Sequence, residues 1–187
     1  MLRFVERVRA EVAKRRLHRS LERQGITLLG PVRSSGRRPI IHNQGSITLA
    51  SGVHLRGSPQ PVRFSVTRSG RITLGANVFV NTGVIIYSCR EIEVGADTKI
   101  ADDCAIYDTN FHPVHEGHLA NSKPVRIGRY VWLGRGVVVL PGTTIGDHSV
   151  IGANSVVSGY VPAREIWKGN PAGRCGEVHA SDSYRRP

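Results

Sequence analysis

The chain has 187 residues, enough for one domain with a hydrophobic core that needs no disulfide staples. Its formal charge of +12 favours anionic partners, but only 6% of its residues are aromatic and no helix-turn-helix, zinc-finger or RNP pattern occurs, so nucleic acid is not expected. Cys89, Cys104 and Cys175 follow no framework spacing, no apolar run approaches the ~18 residues of a membrane span, and Met1-Leu2-Arg3 opens no signal-peptide core, which together read as a cytoplasmic protein with reduced thiols.

Residues 1–25 are expected to form a basic amphipathic helix. Leu2, Val5, Val8, Val12, Ala13, Leu17 and Leu21 make an apolar stripe at helical spacing, and Gly25 ends it. Residues 1–24 hold eight Lys/Arg against three Glu, so this segment carries +5 of the net charge. Two roles fit such a helix: a cap over the open end of a core, or a basic face resting on an anionic membrane at the inner surface of the cell. The sequence leaves both open.

Residues 26–176 carry a six-residue beat. Leu74, Val80 and Ile86 lie six apart, as do Val94, Ile100 and Ile106, then Ile127, Leu133, Val139, Ile145, Ile151 and Val157. The next position is often small (Gly75, Gly95, Ala101, Gly128, Gly134, Gly146, Gly152), and position i+4 is usually Val, Thr, Ser or Cys. A helix would repeat at 3.6 residues and a long strand at two. A period of six fits a short flat strand plus a turn, and three such sides close a triangular coil of about eighteen residues. Stacked coils pair as parallel strands ~4.8 Å apart, with the aliphatic residue inward, i+4 in the corner and the small residue relieving the turn. The expected fold is therefore all-β, a parallel β-helix with an N-terminal α-helix.

Two irregularities interrupt the beat. Ile86 to Val94 spans eight residues, which suggests a bulge near Ser88–Glu91. Ile106 to Ile127 spans twenty-one, three more than a full coil, so an excursion loop is expected within 107–126. It contains Asn110-Phe111-His112-Pro113-Val114-His115-Glu116-Gly117-His118. A regular solenoid has no structural need of such a loop, and loops on rigid scaffolds often hold chemistry. Before Leu74 the beat loosens, and Ile47–Val66 reads as one distorted coil. Residues 177–187 read as a disordered tail.

The beat, the His112-Pro113-Val114-His115 loop, Val131-Trp132-Leu133-Gly134, Ile151-Gly152-Ala153-Asn154-Ser155-Val156-Val157 and Gly169-Asn170-Pro171-Ala172 together resemble the hexapeptide-repeat acetyltransferases. Within them the chain is similar to the sugar O-acetyltransferase branch, which includes galactoside, maltose and capsule acetyltransferases. Ile106-Tyr107-Asp108-Thr109-Asn110-Phe111-His112-Pro113 resembles the polysaccharide-associated members in particular. The resemblance implies a left-handed coil and a homotrimer with clefts between subunits. It also implies acetyl-CoA as co-substrate, no metal, and a sugar, nucleotide-sugar or lipid-linked glycan as acceptor.

Acyl transfer from a thioester needs a base for the incoming hydroxyl and donors for the oxyanion. The resemblance gives the base role to His112, a residue type whose unperturbed pKa lies near neutral. Asp108, four residues earlier, is a candidate to orient that ring or meet the acceptor, and Asn81 matches an acceptor-contacting position. Trp132 matches an aromatic lining the CoA cleft, and the amides of Gly134 and Arg135 match the segment facing the acetyl carbonyl. Ala153 and Ser158 match pantetheine-facing positions on one face, and Lys168 and Arg174 are candidate partners of the CoA phosphates. The chain departs from the family at Gly159, often Lys, and at Arg135, where small residues are common.

Three other readings fit the scaffold. An amino-sugar N-acetyltransferase would use the same donor and base. A γ-class carbonic anhydrase-like hydratase is suggested by His112, His115 and His118, but residue 117 is Gly and no H-x-x-x-x-H pair forms. A non-catalytic scaffold would keep the solenoid alone.

Overall fold

The structure is a computed structural model that describes residues 2–186, with side chains from Glu11 onward. Leu2, Val5 and Val8 of the helical stripe, and Pro187 of the tail, have side chains outside the described residues. Helix α1 (Leu2–Arg23) ends where Gly25, at φ 72°, donates its N–H to the Glu22 carbonyl. Its last turns lie on the open end of the coil. Leu21 is buried in the core, Leu17 packs against it, and the Val32 N–H meets Nε2 of His18 at 3.1 Å.

Six coils and part of a seventh follow. The first is β1 (Ile26–Leu28), β2 (Arg33–Gly36) and β3 (Ile40–Asn43); the second is β4 (Ser46–Leu49), β5 (His54–Gly57) and β6 (Arg63–Val66). The third is β7 (Arg71–Leu74), β8 (Phe79–Val80) and β9 (Ile85–Ser88); the fourth is β10 (Ile92–Val94), β11 (Lys99–Ile100) and β12 (Ala105–Tyr107). The fifth is β13 (Val125–Ile127), β14 (Trp132–Leu133) and β15 (Val138–Val139); the sixth is β16 (Thr144–Ile145), β17 (Val150–Ile151) and β18 (Val156–Val157). The chain closes with β19 (Tyr160–Val161), β20 (Glu165–Gly169) and β21 (Ala172–Glu177).

Every third strand stacks into one sheet. The first sheet runs β1-β4-β7-β10-β13-β16-β19, the second β2-β5-β8-β11-β14-β17-β20-β21, and the third holds β3, β6, β9, β12, β15 and β18. All neighbours are parallel except β20 and β21, an antiparallel hairpin that finishes the second sheet. The coil is a left-handed β-helix.

The six-residue beat builds the core. All twelve aliphatic beat positions are buried, and Val78, Val84, Thr98, Cys104, Val131, Val137, Thr143, Ser149 and Ser155 at i+4 fill the corners with no exposure. The small i+1 residue has a different cause from the one expected. The left-handed residue of the turn sits at i+3, as in Asn77, Asp97, Asp103, Tyr130, His148 and Asn154. Glycine at i+1 serves coil stacking instead: a Cβ on Gly134 would stand 2.7 Å from the Ala153 nitrogen, and one on Gly95 would stand 2.6 Å from that of Arg129.

Two sequence expectations are corrected, and the place of a third is given. The stretch before Leu74 holds two complete coils rather than one, because four-residue sides and corners of uneven length blur the period; Leu55 and Phe64, both fully buried, face the core from successive sides nine residues apart. No bulge lies near Ser88–Glu91: Ile86 and Ile92 keep the six-residue step, and β10 pairs in unbroken register with β7 and β13. The excursion is an insertion at a single corner, between β12 and β13, since Val94 pairs directly with Ile127 and Ile106 with Val139.

The segment after Glu177, which reads in sequence as a disordered tail, is placed beside the corner between the first and second sheets. Arg186 donates to the carbonyls of Tyr130 and His148, Arg185 stands 3.6 Å from Asp97, and Arg164 pairs with Asp182.

Candidate active site

The excursion begins at a buried carboxylate. A buried charge is costly unless every lone pair finds a donor, and Asp108, with no exposure, finds four. Oδ2 accepts from the Ser88 hydroxyl (2.7 Å) and the N–H groups of Arg90 (2.8 Å) and Glu91 (2.7 Å); Oδ1 accepts from the Cys89 N–H at 2.7 Å. Asp108 is therefore placed otherwise than as an acceptor-binding group or a support for His112: its carboxylate is spent on the corner between β9 and β10.

Beyond it the loop closes on itself. Thr109 bridges Ser122, the Asn110 N–H donates to Asn121 (3.0 Å) and the Lys123 N–H donates to the Asp108 carbonyl (2.9 Å). The His112 N–H donates to the Asn110 carbonyl at 2.7 Å, so Phe111, at φ 63°, is the centre of a tight three-residue turn. His112 is exposed at the start of the free part of the loop. His115 and His118 stand edge to face with ring centroids 5.8 Å apart, and among the described residues no three ligating side chains converge as a metal site.

A second cluster stands on the outer face of the second sheet. Phe79, Lys99 and Trp132 are successive rungs of one ladder, each one residue before a buried beat position. Lys99 Nζ lies 5.8 Å from the Phe79 ring centroid, and Trp132 is 45% exposed, unusual for an indole unless something covers it. These three, with Asn81, Ala101, Tyr184 and Arg186, line a cleft of about 600 Å³. Burial, which disfavours the cation, lowers the pKa of Arg186 at its wall. Asn81 is half-buried and its Oδ1 accepts from the Thr82 N–H at 2.9 Å.

Gly134, Arg135 and Ala153 share the corner between the second and third sheets. The Gly134 N–H is already committed to the Ile151 carbonyl at 2.8 Å, whereas the Arg135 N–H has no hydrogen-bond partner among the described residues. The Arg135 guanidinium lies 3.1 Å from Asp103. Beneath them, burial pushes the Cys104 thiol up to about 12, and its Sγ donates to the Gly134 carbonyl, so this cysteine is no nucleophile at neutral pH.

The remaining sequence-predicted residues scatter. Ser158 lies on the far side of β18, at the corner between the third and first sheets where the excursion also leaves, so it does not share a face with Ala153. Lys168 is exposed on β20. Arg174 is held by Glu165 (2.9 Å) and Glu177 (2.6 Å) rather than left free for a phosphate. The Trp167 indole N–H at 2.7 Å, with Arg174 beside it, lowers the Glu165 pKa.

The structure thus brings Asn81 and Trp132 together but leaves His112 one side of the triangle away. Sequence reading missed Phe79, Lys99, Tyr184 and Arg186. Phe79 and Lys99 had a signal, since both precede a beat residue as Trp132 does and must point outward beside it. Tyr184 and Arg186 had none, because no periodicity reaches the C-terminal segment.

Comparison with known proteins points to one family and one fold. A family model described as bacterial transferase hexapeptide (six repeats) matches residues 124–159. The chain is 38% identical over 148 residues to the putative lipopolysaccharide biosynthesis O-acetyl transferase WbbJ of Escherichia coli (strain K12), covering 71% of this chain and 72% of that one. It is 34% identical over 128 residues to the galactoside O-acetyltransferase of the same strain, a match that spans 66% of this chain and only 62% of that enzyme. Among solved structures, a galactoside acetyltransferase in complex with coenzyme A aligns at TM-score 0.58 and 26% identity, covering 86% of this chain and 73% of that one. The hexapeptide-repeat acetyltransferase VCA0836 of Vibrio cholerae aligns at TM-score 0.63 and 24% identity, over 86% and 79% of the two chains, a likeness of fold.

Proposed function

The chain belongs to the hexapeptide-repeat acetyltransferase family, and from that premise we propose that it transfers an acetyl group from acetyl-CoA to a hydroxyl of a sugar or glycan acceptor. The observation that carries the reading is the identity with a putative lipopolysaccharide O-acetyl transferase over nearly three-quarters of that protein, joined to a loop histidine at the corner that the excursion interrupts.

In this reading His112 takes the proton of the acceptor hydroxyl as its oxygen attacks the thioester carbonyl. The Arg135 N–H, unengaged among the described residues, is the better oxyanion donor of the pair at that corner. Collapse of the tetrahedral intermediate breaks the C–S bond, and the proton held by His112 passes to the CoA thiolate. Trp132 and Phe79 offer apolar surface to the pantetheine arm, and Lys99 offers a cation to the phosphates. Asn81 meets the acceptor.

His112 and the Asn81–Trp132 cleft occupy different sides of one triangle, which supports a site shared between two copies. We read the protein as a homotrimer in which the loop of one protomer meets the second-sheet cleft of its neighbour. Three unpaired cysteines fit a cytoplasmic protein, and among the described residues no helix is long and apolar enough to cross a membrane. From Arg23 to Arg90 the chain has nine arginines and no acidic residue. That bias favours a phosphate-bearing acceptor and peripheral contact with an anionic membrane.

The test is release of free CoA thiol from acetyl-CoA over a panel of glycosides and nucleotide sugars. Acceptor-dependent release supports the reading, and its absence across neutral, phosphorylated and lipid-linked sugars removes it.

A further inference from the structure

We propose that Tyr87, Tyr107 and Phe111 form an aromatic platform that takes one face of the acceptor's pyranose ring and sets its hydroxyls beside His112. The inference rests on the acetyltransferase reading and names the acceptor subsite of that site.

Three observations converge. Tyr87 and Tyr107 are cross-strand partners on β9 and β12, at the positions after the buried Ile86 and Ile106, so both stand on the outer face of the third sheet. Phe111 leans on both, edge to face, with ring centroids 4.7 Å from Tyr87 and 5.5 Å from Tyr107. Yet Phe111 remains 47% exposed, so two tyrosines do not consume its surface.

Phe111 is also held there under strain. A bulky residue at φ 63°, in a turn closed by the His112 N–H on the Asn110 carbonyl, adopts a conformation that side chains of its type avoid. The Phe111 N–H is steadied by Thr109 Oγ1 at 3.2 Å, and Asp108 locks the ends of β9 and β12 to each other from beneath. The result is a preorganised aromatic surface whose next residue in the chain is His112.

Chemistry selects the occupant. A pyranose presents an apolar face of C–H groups and a rim of hydroxyls, which suits flat aromatic rings ending in phenol groups. Along the same outer face the ladder continues from Tyr87 to Ser65 and His42, polar side chains within the span of a second sugar. A nucleobase or a flat acyl chain would need a slot between rings, and these rings are packed edge to face.

The experiment is saturation-transfer NMR of the full-length protein with methyl α- and β-pyranosides of glucose, galactose and mannose, run beside calorimetric titration with acetyl-CoA. At least one glycoside is expected to receive saturation concentrated on a single C–H face. Phe111→Ala should weaken that signal roughly tenfold, Phe111→Trp should keep it, and neither should change acetyl-CoA binding. Saturation that persists unchanged in Phe111→Ala, or no saturation of any glycoside by the wild type, overturns the platform. Acetyl-CoA binding without a platform effect would leave the enzyme reading standing, whereas platform binding without acetyl-CoA would leave the platform and remove the enzyme reading.

Discussion

The Ser88 hydroxyl donates to Oδ2 of Asp108 at 2.7 Å, tying a corner of one coil to the first residue of the excursion on the next. Three backbone N–H groups share the same carboxylate. Asp108→Ala takes the acceptor from three backbone N–H groups at this partly buried corner, while the Ser88 hydroxyl can turn to the Arg71 carbonyl at 3.0 Å, and should cost about 2–3 kcal/mol. Asp108→Asn keeps one acceptor oxygen, which can take the place of Oδ2 toward the Arg90 and Glu91 N–H groups, and should cost less. Urea midpoints of the two variants check this, and an unchanged midpoint for Asp108→Ala would mean the corner holds without its carboxylate.

Close stacking of coils sets a second expectation. A Cβ on Gly57 would lie 2.0 Å from the Arg37 carbonyl oxygen, backbone that cannot swing aside. Gly57→Ala should therefore lose about 1–3 kcal/mol by overpacking. Gly173, which has open space at its Cβ, is the control, and its alanine variant should stay within ~0.5 kcal/mol of wild type.

Two histidines make stability fall on the acid side. Burial first, then Arg164, lowers the pKa of His148 from 6.5, and burial with Arg33, Arg56 and Lys99 does the same for His54. The fold disfavours protonation of both while the unfolded chain takes up protons near 6.5, so their contribution is complete above that pH and is lost as pH falls through the lowered folded values. Unfolding midpoints should drop between about pH 7.5 and pH 5.5. His148 is at φ 63°, so His148→Asn, which tolerates that conformation, is the variant that should flatten the drop. An equal slope in wild type and variant would assign the acid sensitivity to other groups.

The N-terminal coils carry the charge prediction. Arg33, Arg37, Arg38, Arg56, Arg63 and Arg68 have no carboxylate within salt-bridge distance among the described residues, and Arg33 and Arg38 border a groove against α1. Vesicles containing phosphatidylglycerol should bind the protein where pure phosphatidylcholine does not. Replacing Arg33, Arg37 and Arg38 with Ala should weaken binding by about 1 kcal/mol per charge. Co-sedimentation at low and high salt reads the effect, and equal binding to both vesicles would exclude it.

The solenoid was legible because one residue in six must be aliphatic to fill a triangular core, and all twelve such positions, from Leu74 to Val157, are buried. The first two coils were not, since four-residue sides and uneven corners erase the period around Leu55 and Phe64. Asn81 and Trp132 were identified from local motifs, and the ladder through Lys99 does bring them into one cleft. Asp108 was misread because its partners sit on another coil, about twenty residues earlier, where no local pattern points. Arg174 was misread for a similar reason: its neighbours Glu165 and Glu177 converge on it only through the β20–β21 hairpin.

Calorimetric titration of wild type and His112→Ala with acetyl-CoA, paired with acetyl transfer to a glycoside acceptor, tests the central claim most directly. Saturable binding near one per chain in both proteins, with transfer lost by roughly a hundredfold or more in the variant, is the result expected of a base that acts after the donor is bound. No acetyl-CoA binding by a folded wild type, or full transfer by His112→Ala, would contradict the account.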